Sequence, residues 1–171
     1  DNLHSTFKEF GFGKKTNIDI PNEAFGLVPN KDYMFRRYGK YGWSRGTLLN
    51  LAIGQGELLV TPMQVLNYIN LISTKGESPN CHFVVVDNLP NNSKPELEAI
   101  IWQQVHDGLR SAIIDKKGTG KKSDPNIDGL SIYGKTGTAE NPHGDNHAWF
   151  TGWAEYLNDK YSIVILLENA G

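Results

Sequence analysis

Leu130-Ser-Ile-Tyr-Gly-Lys-Thr-Gly-Thr-Ala139, His147-Ala-Trp-Phe-Thr-Gly-Trp-Ala154 and Tyr161-Ser-Ile-Val-Ile-Leu-Leu167 follow one another near the end of the chain, and their periods decide the fold. In the first, Leu130, Ile132 and Gly134 alternate with Ser131, Tyr133 and Lys135. In the second, His147, Trp149, Thr151 and Trp153 alternate with Ala148, Phe150, Gly152 and Ala154. Successive strand side chains point to opposite faces, so a period of two predicts half-buried strands. The third is a continuous β-branched and aliphatic run, which predicts a strand covered on both faces. Asn141–Asn146 is a short turn or loop, and Leu157-Asn158-Asp159 predicts a hairpin turn. Three strands joined this closely predict an antiparallel meander. With helical periods upstream, the expected class is α+β, the long helices packed on one face of the sheet.

The clearest helix signal starts at Thr61. Threonine is a good N-cap, Pro62 suits the first helical position, and Gln64 completes a capping box. Met63, Leu66, Ile69 and Ile72 form its apolar stripe, with Val65 beside it, and Gly76 stops it. Ser93-Lys-Pro-Glu96 reads as a second capping box, opening a helix with Leu97, Ile101, Val105, Leu109 and Ala112/Ile113 on its apolar face. Between the two, His82–Val86 reads as a short strand. At the start of the chain, Leu3, Phe7 and Phe10 lie at helical spacing, and Gly11 and Gly13 end the helix. Lys14 to Ser44 has loop-like composition with no sustained period, and Thr16–Pro21 looks extended. The aromatic and basic stretch Tyr33–Trp43 has the chemistry to stack on glycan or nucleic acid, but a long loop packed on the domain accounts for it more simply.

Composition excludes several classes. The chain has 171 residues, 17 Lys+Arg against 19 Asp+Glu, and a formal net charge of −2. That balance argues against a protein that coats nucleic acid or anionic lipid. The single Cys81 excludes an internal disulfide and a Cys-rich zinc module, and a core thiol is its default reading. The longest apolar runs, such as Ile163–Leu167, fall far short of the ~20 residues that span a bilayer. His143 and His147 flank Asp145 in a turn with no third ligand, so no metal and no cofactor are expected. Gly118-Thr-Gly-Lys-Lys-Ser123 lacks the upstream glycine of a phosphate loop and reads as a solvated mobile lysine loop. The chain opens mid-pattern at Asp1 and stops directly after its most strand-like stretch, which reads as a fragment incomplete at both ends.

Gly134-Lys-Thr-Gly-Thr-Ala-Glu140 carries the densest chemistry. Lys135 supplies a fixed positive charge for a carboxylate or tunes a neighbouring hydroxyl. Thr136 and Thr138 offer hydroxyls. Gly137 lets another backbone lie flat against the strand, which suits recognition by strand addition. The bland alternative is an edge strand guarded by Lys and Gly against aggregation. Gly54-Gln55-Gly56 reads first as a turn feeding the helix at Thr61 and second as a loop near a cleft.

Seven segments then fall in order: Phe10-Gly-Phe-Gly13, Thr16-Asn-Ile-Asp-Ile-Pro-Asn-Glu23, Asn50-Leu-Ala-Ile-Gly-Gln-Gly56, Thr61-Pro-Met-Gln64, Gly118-Thr-Gly120, Gly134–Glu140 and His147–Ala154. Their order and spacing resemble the C-terminal half of the transpeptidase domain of class B penicillin-binding proteins, the monofunctional peptidoglycan cross-linking enzymes. Within that family the likeness is to the elongation type. The resemblance covers essentially all of residues 1–171, taken as the C-terminal part of one such domain.

That resemblance implies a penicillin-binding/β-lactamase-like fold and a site of three elements: Ser-x-x-Lys with the nucleophile, Ser-x-Asn, and Lys-Thr-Gly. Only the third matches here. Ser5-Thr-Phe-Lys8 and Ser78-Pro-Asn80 fit the other two patterns by letter. Ser5, however, directly precedes Phe10–Gly13, and Ser78 follows a helix stop, so both are rejected and the nucleophile is expected upstream of Asp1. Lys135 then holds the site's positive charge and serves catalysis. Thr136, Gly137 and Thr138 bind substrate, with the Thr138 N–H as one of two oxyanion donors. Lys135 and Thr136 point to opposite faces of a strand, so both can serve only at a twisted sheet edge. The implied partners are a peptidoglycan stem peptide, β-lactam antibiotics and the rest of the same domain, with self-association of the fragment and no nucleic acid. The implied location is extracytoplasmic, on a membrane-anchored parent. A β-lactam-hydrolysing or β-lactam-sensing relative and a non-catalytic binding module remain alternatives.

Overall fold

A computed structural model describes residues 2–84 and 95–170. Among these residues five α-helices precede one sheet: α1 (Asn2–Glu9), α2 (Lys31–Tyr38), α3 (Arg45–Ala52), α4 (Pro62–Ser73), α5 (Ala99–Ile114), then β1 (Leu130–Ala139), β2 (His147–Tyr156) and β3 (Asp159–Leu167). The strands form the predicted antiparallel meander in the order β1-β2-β3, so among the described residues no strand pairs with the outer edge of β1, its free edge. Leu157 and Asn158 alone join β2 to β3, with Leu157 in a left-handed conformation (φ 55°).

The α4 signals act as read. Thr61 accepts from the Gln64 N–H at 3.1 Å, while Gln64 Oε1 accepts from the Thr61 N–H at 3.0 Å. Gln64 does more than cap. It is buried, and its Nε2 donates to the carbonyls of Lys14 and Phe25, both at 2.8 Å, so one side chain ties the irregular 14–30 segment to the helix start. The same segment is stitched to the α4 approach by paired hydrogen bonds between Leu27 and Leu59. Gly26 makes the crossing feasible. Its φ is 63°, and a Cβ there would lie 2.4 Å from the Leu59 carbonyl oxygen.

Four expectations need correction. Lys14–Ser44 is not all loop: α2 lies within it, and α3 begins directly after it, each started by a short-range cap. Asn30 accepts from the Tyr33 N–H, and Ser44 forms a capping box with Thr47. These helices have 8 residues each, too short to display a period. Thr16–Pro21 is not extended throughout, because Asn17 adopts φ 59° and breaks the extension. The predicted helix at Ser93 begins only at Ala99, behind Glu98, which makes no side-chain cap; the box itself falls partly outside the described residues. Of its predicted stripe, Leu97, Val105 and Leu109 pack against the core and Ile113 is buried, but Ile101 is exposed, and Trp102 and His106, outside the stripe, are the other buried residues of the helix. Of the strand expected at His82–Val86, the described residues 82–84 are not strand; Phe83 and Val84 donate their N–H groups to Asp19, both at 2.7 Å.

The core lies between α4, α5 and one sheet face, where Ile69, Ile72, Trp102 and Trp153 meet. Trp153 is 1% exposed and stacks on Tyr133, the residue paired with it across β1 and β2, with centroids 4.6 Å apart. His106 stands 4.9 Å from the Trp153 ring, and its Nε2 bonds the Ile72 carbonyl at 2.8 Å. A carbonyl only accepts, so Nε2 carries the proton. β3 departs from the expected two-sided burial. Tyr161, Ile163, Ile165 and Leu167 all lie on the face away from α4 and α5 and are exposed.

Candidate active site on the free edge of β1

Within β1, Gly134 is buried, Lys135, Gly137 and Thr138 are exposed, and Thr136 is half-buried. Alternation puts Lys135 and Gly137 on the Tyr133 face and Thr136 and Thr138 on the other. The edge position resolves the conflict between Lys135 and Thr136. The Lys135 ammonium folds across the rim, donating to the Thr136 carbonyl at 2.6 Å and lying 3.5 Å from the Thr136 hydroxyl. Thr119 Oγ1 stands 3.4 Å from the same nitrogen. All three neighbours are neutral oxygens, and among the described residues no carboxylate pairs with Lys135. The rim therefore carries an uncompensated positive charge with hydroxyls on either side, an arrangement that binds a carboxylate.

Glycines shape this rim in two ways. A Cβ at Gly134 would lie 2.7 Å from Phe150 Cζ, and one at Gly152, opposite it, 2.1 Å from the Tyr133 carbonyl oxygen, so these two glycines serve the packing of the sheet. Gly137 differs: the nearest atom to its Cβ position is 3.5 Å away. Among the described residues no neighbour demands glycine there, and the strand is left flat on the side shared with Lys135.

Two loops reach the rim, and the sequence reading undervalued both. The Gly118–Ser123 stretch is a tight turn on the end of α5 that runs into one 3-10 turn (Lys121–Ser123), not simply a lysine loop. Cβ atoms at Gly118 and Gly120 would lie 2.4 Å from the Ala112 carbonyl oxygen and 2.7 Å from Ile113 Cδ1. That close seating presents Thr119 to Lys135. The Gly54–Gly56 turn feeds α4 and also touches the site: Gln55 Nε2 donates to the Thr138 carbonyl at 2.8 Å, and Gln55 Oε1 accepts from the Glu140 N–H at 3.2 Å. Its next charged residue, Glu57, accepts from the hydroxyls of Tyr33 (2.9 Å) and Tyr38. Donation from Tyr38 and Tyr33 holds the Glu57 carboxyl below its ordinary range, and the same hydrogen bonds to Glu57 push both tyrosines up. The usable signal in each loop was a polar residue between two glycines.

The rejected patterns stay outside this site. Ser5 donates to the Asn2 carbonyl within α1, and Lys8 donates to the Gly13 carbonyl at 2.6 Å. Ser78 is buried beyond the end of α4. Cys81 is half-buried, not a core thiol; Asn70 Nδ2 donates to its sulfur, and burial pushes the thiol up. His147 Nδ1 accepts from the Asn169 N–H at 3.0 Å. Among the described residues, no three His, Cys, Asp or Glu side chains group to hold a metal. No described helix is long and apolar enough to cross a membrane.

A Lys-Thr-Gly strand at the edge of an antiparallel sheet backed by helices fits the resemblance drawn from the motifs, and the family comparison shows the family: the chain belongs to the penicillin binding protein transpeptidase domain family, which it matches over residues 1–171. It is 30% identical over its whole length to the peptidoglycan D,D-transpeptidase MrdA of Haemophilus influenzae, of which it spans 30%. Among solved structures it resembles penicillin-binding protein 2 of Helicobacter pylori, with a TM-score of 0.84 and 35% identity over 98% of this chain and 31% of that one. It likewise resembles penicillin-binding protein 2 of Pseudomonas aeruginosa, solved in complex with WCK 5153, with a TM-score of 0.82 and 29% identity over 99% of this chain and 38% of that one. The fold is therefore that of a penicillin-binding transpeptidase domain, represented in part, and of the kind found in penicillin-binding protein 2.

Proposed function

We propose that residues 1–171 form the C-terminal part of the transpeptidase domain of a peptidoglycan D,D-transpeptidase and supply one wall of its cleft. The observation that carries this reading is the Lys135 ammonium, free of any carboxylate among the described residues and set on the open edge of β1 beside Thr136 and Thr138. In this reading a serine upstream of Asp1 attacks the stem-peptide carbonyl, the C–N bond breaks, and the leaving amine departs with the serine's proton to give an acyl-enzyme; a peptidoglycan amine then attacks the ester carbonyl, forms the new amide bond and returns a proton to the serine oxygen. Lys135 fixes the charge of the site, the Thr136 and Thr138 hydroxyls hold the substrate carboxylate, and the Thr138 N–H donates to the oxyanion. β-Lactams occupy the same place as the stem peptide. The parent protein works outside the cytoplasm on a membrane anchor, and the remainder of the domain packs against this part, including the exposed row on β3. Without that remainder the 171 residues lack the nucleophile, do not react with penicillin, and self-associate through the same apolar row.

The test is covalent labelling of the full-length protein by a fluorescent penicillin. Lys135→Ala should slow labelling by about 10²–10³, the typical cost of losing one preorganised stabilising group. Labelling of that variant at the wild-type rate would remove the site assignment. Rapid loss of the label by hydrolysis would instead favour a β-lactam-hydrolysing enzyme.

A further inference from the structure

The free edge of β1 is less open than its place in the sheet suggests. Within a strand, the N–H and C=O of one residue point to the same side, and those of its neighbours to the other. Ile132, Thr136, Thr138 and Glu140 all bond groups that are not on β2, so the even-numbered residues face the free edge. Three of the outward carbonyls are already occupied. Arg110 of α5 donates to that of Ile132 at 2.8 Å, Lys135 to that of Thr136, and Gln55 to that of Thr138.

Gln55 differs from the other two because it bonds at both ends. Its carboxamide donates to residue 138 and accepts from residue 140, the pattern that a neighbouring parallel strand would make around residue 139. One side chain thus stands in for a strand at the point where β1 ends. The clamp spans 83 and 85 residues of sequence, so it ties β1 to a separately anchored loop. That loop is held by the Gln55 N–H on the Asn50 carbonyl at 2.9 Å, by Glu57 on its two tyrosines, and by the Leu27–Leu59 pair.

We propose that Gln55 is a positioning residue for acyl transfer: its carboxamide holds the Thr138–Glu140 end of β1, closes that end to strand addition, and fixes the direction of the Thr138 N–H. The proposal rests on the reading of Thr138 as an oxyanion donor. The unclamped end of an edge strand frays, and a donor displaced by 1 Å loses much of its effect on the reacting oxygen. The clamp also sets a boundary. An incoming peptide backbone pairs with β1 only up to Thr138, which places its reactive carbonyl at that residue and no further along.

The experiment compares Gln55→Ala, Gln55→Glu and Lys135→Ala in the full-length protein. Acylation by a fluorescent penicillin is followed by stopped flow, separating the first-order acylation step from the dissociation constant of the initial complex. Hydrogen exchange is read on peptides covering 137–142. For Gln55→Ala the expected result is an acylation step slowed by about 10–10², an initial dissociation constant within about threefold of wild type, and faster exchange at Glu140. Gln55→Glu keeps the size and the acceptor for the Glu140 N–H but sets an oxygen against the Thr138 carbonyl. It should slow acylation at least as much with an unchanged melting midpoint, and it decides the matter if the alanine variant does not fold. Wild-type acylation in Gln55→Glu while Lys135→Ala is crippled would overturn the role of Gln55 alone. Slower acylation with unchanged exchange at residues 137–142 would also overturn it. Wild-type acylation in Lys135→Ala would overturn the underlying site.

Discussion

Gly137→Ala separates the two uses of glycine in this sheet. The added methyl group would find its nearest neighbour, Trp149 Cβ, at 3.5 Å, an ordinary van der Waals contact, so the fold accommodates it without movement. Removing glycine also restricts the unfolded chain, and the expected stability change lies between zero and a gain of about 1 kcal/mol. Gly152→Ala, on the adjacent strand, is the contrasting case. Its Cβ would sit 2.1 Å from the Tyr133 carbonyl oxygen and 2.8 Å from Gly134 Cα, both backbone atoms of β1. Relief needs a strand separation of roughly 1 Å. Overpacking of this kind costs about 1–3 kcal/mol, and each ladder hydrogen bond it loosens about 1 more, so about 3 kcal/mol in all is expected. Urea unfolding followed by tryptophan fluorescence reads both variants. Penicillin acylation of the full-length protein then reads the function: Gly137→Ala should be as stable as wild type yet acylate about tenfold more slowly or worse, because the methyl group occupies the side where a ligand backbone lies. A Gly137→Ala variant destabilised by more than 1 kcal/mol, or one acylated at the wild-type rate, would refute the reasoning.

Two further outcomes follow from the packing. Gln64→Ala removes the bonds to Thr61, Lys14 and Phe25 and should cost about 3 kcal/mol in urea unfolding, against about 1 for Thr61→Ala; equal losses would show that Gln64 is only a cap. At Glu155, burial works to raise the carboxyl, but hydrogen bonds from Lys160 and Trp153 Nε1 outweigh it and leave the group below its ordinary 4.5. Stability from Glu155 is therefore present above 4.5 and lost as the pH falls through the lower folded value, so the difference between wild type and Glu155→Gln, at most about 1 kcal/mol for this partly exposed pair, should be seen at pH 7 and vanish in acid.

The sheet was legible in the residues because its signals are local. Alternation from Leu130 to Ala154, the Leu157-Asn158 turn and the aliphatic run behind it specify three antiparallel strands without reference to anything distant. The α4 start was legible for the same reason: Thr61, Pro62 and Gln64 act within one turn. Short helices were not. α2 and α3 hold their ends through Asn30 and Ser44, and 8 residues give no period against which to recognise a face. The α5 stripe was legible at Leu97, Val105, Leu109 and Ile113 but incomplete: Trp102 and His106, passed over as candidates, meet Trp153 and Tyr133 across the core, while Ile101 is exposed.

The candidate site divides along the same line. By itself the sequence determined Lys135, Thr136, Gly137 and Thr138 as the chemical row, and the order of the motifs determined the family. Only the tertiary structure decided that this row lies on a free edge, that Lys135 folds over it toward Thr136, and that Thr119 and Gln55 arrive from loops 16 and 83 residues away in the chain. Periodicity and capping are set by neighbours within a few residues, whereas the identity of a strand's edge partner depends on where the rest of the chain is packed.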